Sequence, residues 1–268
     1  MIPAFDLVRP SSLEDALREV ASGGVPYVGG TELVAAMHLG LVAPEVLVDL
    51  KSVRELEGIR REATGLCIGA TSRHDAIAAH ADVAEGWPLL ARACSQLGNQ
   101  RVRATGTIGG NLCFADPRSD VSTALFALDA SVTLCSSAGR RTLPIDQFVL
   151  GAMDVDLADG ELLESVHLPT SDSHQVYLRH QPAEYPTVCV AVVKGKQSSN
   201  APLRITIGAV GERPESFDAA SVDDLRLDDV LPVLDVIEDL NGSESYKRHL
   251  AGVFVRRAVA MMKEIAGV

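Results

Sequence analysis

A glycine-rich stretch at residues 103–120 has the residue types of a loop that binds a diphosphate. It contains Gly106, Gly109, Gly110 and Asn111 within a few positions of one another. Glycine tolerates positive φ and has no Cβ, so a ligand can lie directly against its backbone N–H group. Several N–H dipoles that converge on one point can hold an anion without any cation. The stretch therefore predicts either a diphosphate-binding loop or a glycine-rich turn that has no ligand.

A second pair of glycines, Gly29 and Gly30, lies between a predicted strand at 25–28 and an apolar-periodic segment that begins at Leu33. The backbone amides at a helix N-terminus are available to an anion, so this turn is a second candidate phosphate cradle. An ordinary strand-to-helix turn is the alternative. Neither loop has the G-x-G-x-x-G order of a dinucleotide-binding Rossmann unit, which counts against a nicotinamide dehydrogenase.

The composition limits the kinds of protein to which this chain can belong. With 268 residues, the chain is long enough for two domains. A net charge of -12 argues against a nucleic-acid partner. No apolar run is long enough to span a bilayer and no secretory leader is visible, so we expect a cytoplasmic location.

The five cysteines are scattered and form no C-x-x-C pair. This spacing does not build a zinc site or an iron–sulfur cluster within the chain, so we expect no metal here. The odd count favours reduced thiols. His74, at the start of a predicted helix, has the type of a catalytic base, but a surface histidine is the more common outcome and is what we expect.

The order of predicted elements changes near residue 175. Before it, helices alternate with strands. After it, strands at 176–179, 187–193 and 203–210 predict a three-stranded antiparallel sheet, and helices are predicted at 225–240 and 243–265. Strands followed by helices fit a small separate α+β domain.

Taken together, Val28-Gly-Gly-Thr-Glu32 and Thr107-Ile-Gly-Gly-Asn111 resemble the FAD-binding medium subunit of molybdenum hydroxylases, the carbon monoxide dehydrogenase and xanthine dehydrogenase group. The resemblance covers nearly the whole chain and includes Leu47-Val-Asp-Leu50 and Glu161-Leu-Leu163 as flanking matches. Two matching loops make this assignment specific, which one loop would not.

The resemblance implies an α+β fold. Residues 1–170 would form a PCMH-type (vanillyl-alcohol-oxidase-like) FAD-binding domain, with subdomains at about 1–54 and 55–170. Residues 171–268 would form a C-terminal domain like that of the carbon monoxide dehydrogenase flavoprotein, with a three-stranded antiparallel sheet and helices.

The resemblance also implies which residues bind FAD. The diphosphate would be held by backbone amides of the two loops, Asp120 would place a carboxylate near the flavin, and Tyr185 would cover the isoalloxazine ring. Leu163 and Arg179 are weaker candidates because the local alignment is ambiguous by one residue. The cofactor-binding set is therefore Val28, Gly29, Gly30, Thr31, Glu32, Thr107, Ile108, Gly109, Gly110, Asn111, Asp120, Leu163 and Tyr185. No residue is expected to act as a catalytic acid or base.

The implied function is electron transfer within a heterotrimer, in an assembly expected to be a dimer of heterotrimers. A large subunit would carry molybdopterin and a small subunit iron–sulfur clusters, and electrons would leave through FAD on this chain to an external acceptor. Two alternatives remain open at this point: an assembly subunit that has lost its flavin, and a stand-alone FAD reductase of the same superfamily.

Overall fold

The computed structural model describes residues 2–196 and 202–267, which form a mixed α/β fold. The helices in chain order are α1 Leu13–Ala21, α2 Leu33–His38, α3 His74–Ala79, α4 Ala81–Gly86, α5 Pro88–Gln96, α6 Gln100–Thr105, α7 Ile108–Phe114, α8 Asp120–Ala127, α9 Ile145–Phe148, α10 Leu227–Val230 and α11 Glu244–Ala266, with short 3-10 turns at Leu50–Ser52 and Arg54–Leu56. The strands are β1 Asp6–Val8, β2 Val25–Tyr27, β3 Val46–Asp49, β4 Ile59–Glu62, β5 Gly65–Gly69, β6 Ser131–Ser136, β7 Gly139–Pro144, β8 Val149–Gly151, β9 Asp154–Val155, β10 Leu162–Pro169, β11 Asp172–His180, β12 Val188–Lys196, β13 Leu203–Gly208 and β14 Glu215–Ala219.

Three main sheets organise the described residues. A parallel sheet has the order β1-β3-β2, an antiparallel sheet has the order β4-β5-β10-β6-β7, and the C-terminal sheet has the order β11-β12-β13-β14. Strands β8 and β9 form a separate two-stranded pair. Residues 58–69 form a hairpin, in which β4 pairs antiparallel with β5 across a tight turn.

The C-terminal sheet is buried on both faces, which explains the continuous apolar run of β12. Alternate side chains of a strand point to opposite faces. Cys189, Ala191 and Val193 join the large core, which also contains α5 and α8. Val190 and Val192 join a second core that is closed by α11. One strand therefore connects the two cores of the protein.

The C-terminal sheet has four strands, so the prediction of three is one strand short. The fourth strand, β14, lies at the edge and pairs antiparallel with β13. Its sequence, Glu-Ser-Phe-Asp-Ala, has only one large apolar residue, and its side chains alternate between exposed and half-buried. An edge strand with a polar sequence gives no apolar run for a sequence pattern to detect.

The helix predicted at 225–240 is wrong, because only α10 forms there. Pro232 lacks a backbone N–H and cannot continue a helical hydrogen-bond ladder. Side chains of α11 bond the carbonyl groups that a helix would have used. Arg248 Nη1 donates to the Leu234 carbonyl at 3.0 Å, and Lys247 Nζ donates to the Ile237 carbonyl at 2.8 Å. The helix predicted at 243–265 is confirmed as α11.

Helix α8 lies at the centre of the molecule, and every one of its residues is buried. A helix that has no exposed side must be surrounded by protein. It packs against α5 in the large core and against β12 and β13 of the C-terminal sheet. Its first residue, Asp120, is thereby held where the two halves of the chain meet.

Candidate functional site

The first glycine loop, residues 28–32, connects β2 to α2 and has unused backbone donors. Gly30 has φ of 68°, a conformation that favours glycine. Within the described chain, the N–H groups of residues 29–32 donate no hydrogen bond to another protein group. Buried backbone donors are almost always paired, so a row of four free amides at this place indicates a ligand or solvent as their partner.

The second glycine segment is the first turn of a helix, where we had expected an open loop. Thr107 is the N-cap of α7, and its Oγ1 accepts a hydrogen bond from Gly110 N at 3.1 Å. The other amides are also used. Gly109 N donates to the Ala70 carbonyl at 2.9 Å, Ile108 N to Ser72 and Asn111 N to Thr107. The prediction that amides of this segment are free for a diphosphate is therefore wrong for residues 108–111.

What the second segment offers instead is polar side chains. Ser119 Oγ donates to Asn111 Oδ1 at 2.7 Å, so the amide group of Asn111 is oriented with Nδ2 free to donate. The Thr107 hydroxyl accepts from Gly110 and keeps its own proton to donate. Both residues line the same cavity as the first loop.

The two glycine segments are in direct contact. A Cβ at Gly29 would lie 2.1 Å from the carbonyl oxygen of Thr105, the residue that ends α6. Any side chain at this position would therefore push the two segments apart. The absence of a Cβ at Gly29 is explained by contact between protein segments, before any ligand is considered.

A cavity of about 550 Å³ extends from this contact. Its volume lies within the range of sites that hold a cofactor or other small molecule. Twelve of the thirteen predicted cofactor-binding residues line it: Val28, Gly29, Gly30, Thr31, Glu32, Thr107, Gly109, Gly110, Asn111, Asp120, Leu163 and Tyr185. Ile108 does not line it, because its side chain is fully buried in the large core.

Asp120 belongs to a buried polar cluster that joins α8 to the C-terminal sheet. Tyr177 Oη donates to Asp120 Oδ1 at 2.5 Å, and Arg179 Nη1 lies 2.9 Å from Oδ2. Cys189 Sγ completes the cluster at 3.7 Å from Oδ1. Burial raises the pKa of the Asp120 carboxyl, against the opposing effect of Tyr177 and Arg179. Arg179 does not line the cavity but pairs with Asp120, which does.

Tyr185 lies on the cavity wall with an arginine stacked on its ring. The Arg118 guanidinium is 3.8 Å from the ring centroid, within the range of a cation–π contact. Asp116 holds that guanidinium through two hydrogen bonds, at 2.9 and 2.7 Å. Burial, with a smaller effect from Asp116, raises the pKa of Glu32 on the same wall. The stacked ion pair of Arg118 and Asp116 holds the ring of Tyr185 in place without a ligand.

His74 is the clearest functional candidate that sequence reasoning missed. We expected a surface histidine, yet its side chain is buried, with 2% exposed, and it lines the cavity. Burial lowers its pKa to about 4. The turn at 97–99 and Val102 also line the cavity and were not predicted. The sequence offered no signal for them, since their contact with the cavity depends on how α5 and α6 pack.

The cavity residues fit a dinucleotide such as FAD. Free amides at residues 29–32 and side-chain donors at Thr107 and Asn111 suit an anionic diphosphate. The cavity lining is mainly apolar elsewhere, with Leu97, Val102 and Leu163, which suits aromatic rings. The donor set does not suit a metal: among residues 2–196 and 202–267 there is no group of three His, Cys, Asp or Glu side chains that could ligate one. No helix in this part of the chain is long and apolar enough to cross a membrane.

Comparison with known proteins identifies the family. Residues 3–171 match the family described as FAD binding domain in molybdopterin dehydrogenase. The glyceraldehyde dehydrogenase medium chain of Sulfolobus acidocaldarius is 30% identical over 98% of this chain and 99% of its own length. The carbon monoxide dehydrogenase medium chain of Afipia carboxidovorans is also 30% identical, over 98% of both chains.

The solved structures agree with the sequence comparisons. A chain of quinoline 2-oxidoreductase from Pseudomonas putida 86 superposes with a TM-score of 0.89, covers 99% of both chains and is 27% identical. The similarity therefore extends beyond the matched domain to the C-terminal sheet and α11. The chain belongs to the molybdenum hydroxylase family, as an FAD-binding medium subunit of an oxidoreductase.

Proposed function

We propose that this chain carries FAD between the iron–sulfur clusters of a small partner subunit and an external electron acceptor, while a large molybdopterin subunit oxidises the organic substrate. The observation that carries the proposal is the cavity at the contact of the two glycine segments, with the free amides of residues 29–32 on one side. When bound, FAD supplies redox chemistry, and the protein supplies binding, orientation and electrostatics.

Different residues would bind the FAD diphosphate through different chemical groups. The amides of residues 29–32 would hold the diphosphate, with Thr107 and Asn111 donating from their side chains. Gly110, which is exposed and meets only Thr107 Oγ1 at the position of a Cβ, would let the ligand approach α7 closely. Ile108 would act through packing alone.

The flavin ring would lie between Asp120, Leu163 and Tyr185. Tyr185 presents a ring face that Arg118 holds in place, and such a face can stack on an isoalloxazine. Asp120 is fixed by Tyr177 and Arg179, so it can accept a hydrogen bond without reorientation. No residue in this arrangement needs to move a proton of the organic substrate.

We propose a domain division at residues 170 and 171, with subdomains at about 1–54 and 55–170. The family match ends at residue 171, and β10 ends at Pro169 just before β11 begins. The core that α11 closes draws all its buried members from residues after 171. The assembly we propose is a dimer of heterotrimers in the cytoplasm.

The first test is the visible spectrum of the purified full-length chain, followed by denaturation and chromatography of what is released. We expect the absorbance bands of oxidised flavin, and FAD in preference to FMN. If the chain is colourless and takes up no added FAD, the proposal fails, and the assembly-subunit alternative gains support.

Gly110→Leu is the matched variant for this test. Its side chain would enter the cavity, so we expect FAD uptake to fall at least tenfold while the unfolding temperature stays near that of the wild type. Gly86→Leu is the control, because Gly86 lies outside the cavity and has no atom closer than 3.6 Å to the position of a Cβ. Full FAD uptake by Gly110→Leu would contradict the proposed approach to α7.

The partner proposal needs a separate experiment. Affinity purification of the full-length chain from its native cells, with mass spectrometry of the copurifying chains, should return one molybdopterin-binding chain and one iron–sulfur chain in equal amounts. Recovery of the flavin-loaded chain alone would instead favour a stand-alone FAD reductase.

A further inference from the structure

We propose that His74 is a ligand-binding residue of the cavity, whose Nε2–H donates a hydrogen bond to the diphosphate of the bound dinucleotide. The inference deepens the proposed function and rests on it. It assigns a ligand-binding role to a side chain that the sequence analysis predicts to lie on the surface.

His74 lies at the junction between α3 and the second glycine segment. Its backbone N donates to the Gly106 carbonyl at 3.2 Å, and Arg73 forms an isolated β-bridge with Thr107. A Cβ at Gly106 would lie 3.2 Å from His74 Cδ2 and 3.5 Å from Nε2, so the imidazole lies directly against this glycine. The ring is thus packed beside the residue that precedes the N-cap of α7.

The ring has no hydrogen-bond partner among the described residues. Nδ1 is shut off from solvent and unpaired. Nε2, in contrast, is not shut off from solvent, and His74 lines the cavity. Nε2 is therefore the ring nitrogen that a ligand can reach. A ligand or solvent in the cavity can therefore pair with Nε2 but not with Nδ1.

The surroundings also indicate which nitrogen carries the proton. A proton on Nδ1 would be a buried donor without an acceptor, and orphaned donors are rarer in proteins than under-used acceptors. The proton is therefore placed on Nε2. Burial lowers the pKa of His74 to about 4, so the imidazole is neutral at pH 7. It offers one N–H donor to the cavity and no charge.

A neutral donor suits this place. Hydrogen bonds to an ionised acceptor are stronger than those between neutral groups, so an N–H that points at a phosphate oxygen gains from the charge of the ligand. A cation here would lose most of its hydration through burial and would have no counter-charge until a ligand bound. His74 would therefore complement the free amides of residues 29–32 from the side of α3.

The experiment uses the full-length chain stripped of flavin and compares His74→Leu, His74→Gln and His80→Leu. Binding of FAD is followed by flavin fluorescence and binding of ADP, which carries the same diphosphate, by calorimetry. We expect His74→Leu to weaken both ligands roughly tenfold, the loss of one net hydrogen bond. His74→Gln should recover most of the affinity, because its amide nitrogen can occupy the position of Nε2.

His80 is the matched control, since its Nδ1 is also buried without a hydrogen bond among the described residues, 3.9 Å from Asp82 Oδ2, and the residue does not line the cavity. His80→Leu should bind both ligands as the wild type does. If His74→Leu also binds FAD and ADP as tightly as the wild type, the role of His74 is overturned and the proposed function stands. If the wild type itself takes up no FAD, it is the proposed function that fails.

A measurement on the wild type keeps the proposal testable even if His74→Leu does not fold. The chain is labelled with ¹⁵N-histidine, and the imidazole nitrogens of His74 are assigned through the spectrum of His74→Gln. We expect the Nε2–H tautomer, and a shift of the Nε2 resonance when ADP is added. A proton on Nδ1, or an Nε2 resonance that ADP does not move, would overturn the proposal.

Discussion

The two glycine segments look alike in sequence but differ in structure. In the first, the backbone N–H groups of residues 29–32 have no partner among the residues that the structure describes, and Gly30 has a positive φ. In the second, Gly109 and Gly110 are helical and the amides of residues 108–111 are all bonded within the protein. One segment supplies backbone donors, and the other supplies a rigid helix start with polar side chains.

The difference shows that a glycine can be required for two unrelated reasons. A Cβ at Gly109 would lie 2.7 Å from Ala70 Cβ, and a Cβ at Gly29 would lie 2.1 Å from Thr105 O. Both glycines allow protein segments to approach each other. Gly110 meets only the Thr107 hydroxyl and is exposed toward the cavity. It alone of these three has the space in front of it that a ligand would need.

The second glycine segment is connected to the buried polar cluster around Asp120. Asn111 is bonded to Ser119, the N-cap of α8, and the next residue, Asp120, is paired with Arg179. Removing one partner of a buried ion pair leaves an uncompensated charge and costs about 3 to 5 kcal/mol. We therefore expect Arg179→Met to lower the free energy of unfolding by about that amount, measured by urea titration of the flavin-free chain.

The double variant Asp120→Asn with Arg179→Met is the control for this prediction. Because the unpaired carboxylate is then gone, we expect it to recover a large part of the lost stability. A double variant that is no more stable than Arg179→Met would mean that packing, and not charge, determines the effect.

The second prediction concerns the close contact between Gly29 and Thr105. Gly29→Ala forces Thr105 or the loop to move, so we expect a loss of about 2 to 3 kcal/mol in the free energy of unfolding, typical of overpacking. Gly110→Ala should change it by less than about 1 kcal/mol, since the better helix propensity of alanine offsets one close contact. Both are measured by urea titration without FAD. Equal losses in the two variants would remove the distinction drawn between the segments.

Much of the site could be predicted from sequence because the motifs lie in single runs of residues. Local patterns located both glycine segments, and the family resemblance added Asp120, Leu163 and Tyr185, all of which line one cavity. The prediction went wrong where the glycines of the second segment were interpreted as backbone whose amides are open to a ligand. Thr107 is of a residue type that is preferred at helix N-caps, and this signal was available.

The remaining errors have non-local causes. His74 is buried because α3 packs against α5 and α6, and no periodicity within α3 itself indicates which side is covered. The pair of Arg118 and Tyr185 joins residues far apart in the chain. The polar edge strand β14 is defined by its hydrogen bonds to β13, since its own sequence has little apolar character.

The smallest effect is expected at the N-cap of α7, and it tests the comparison most directly. Thr107→Val keeps the shape of the side chain but removes the acceptor for Gly110 N, so we expect a loss of about 1 kcal/mol in the free energy of unfolding of the flavin-free chain. Thr107→Ser keeps the hydroxyl and should stay closer to the wild type. If Thr107→Val is as stable as the wild type, the Gly110 amide can be satisfied by solvent in the cavity at no cost. That amide would then be as available to a ligand as those of residues 29–32, and the two segments would bind in the same way.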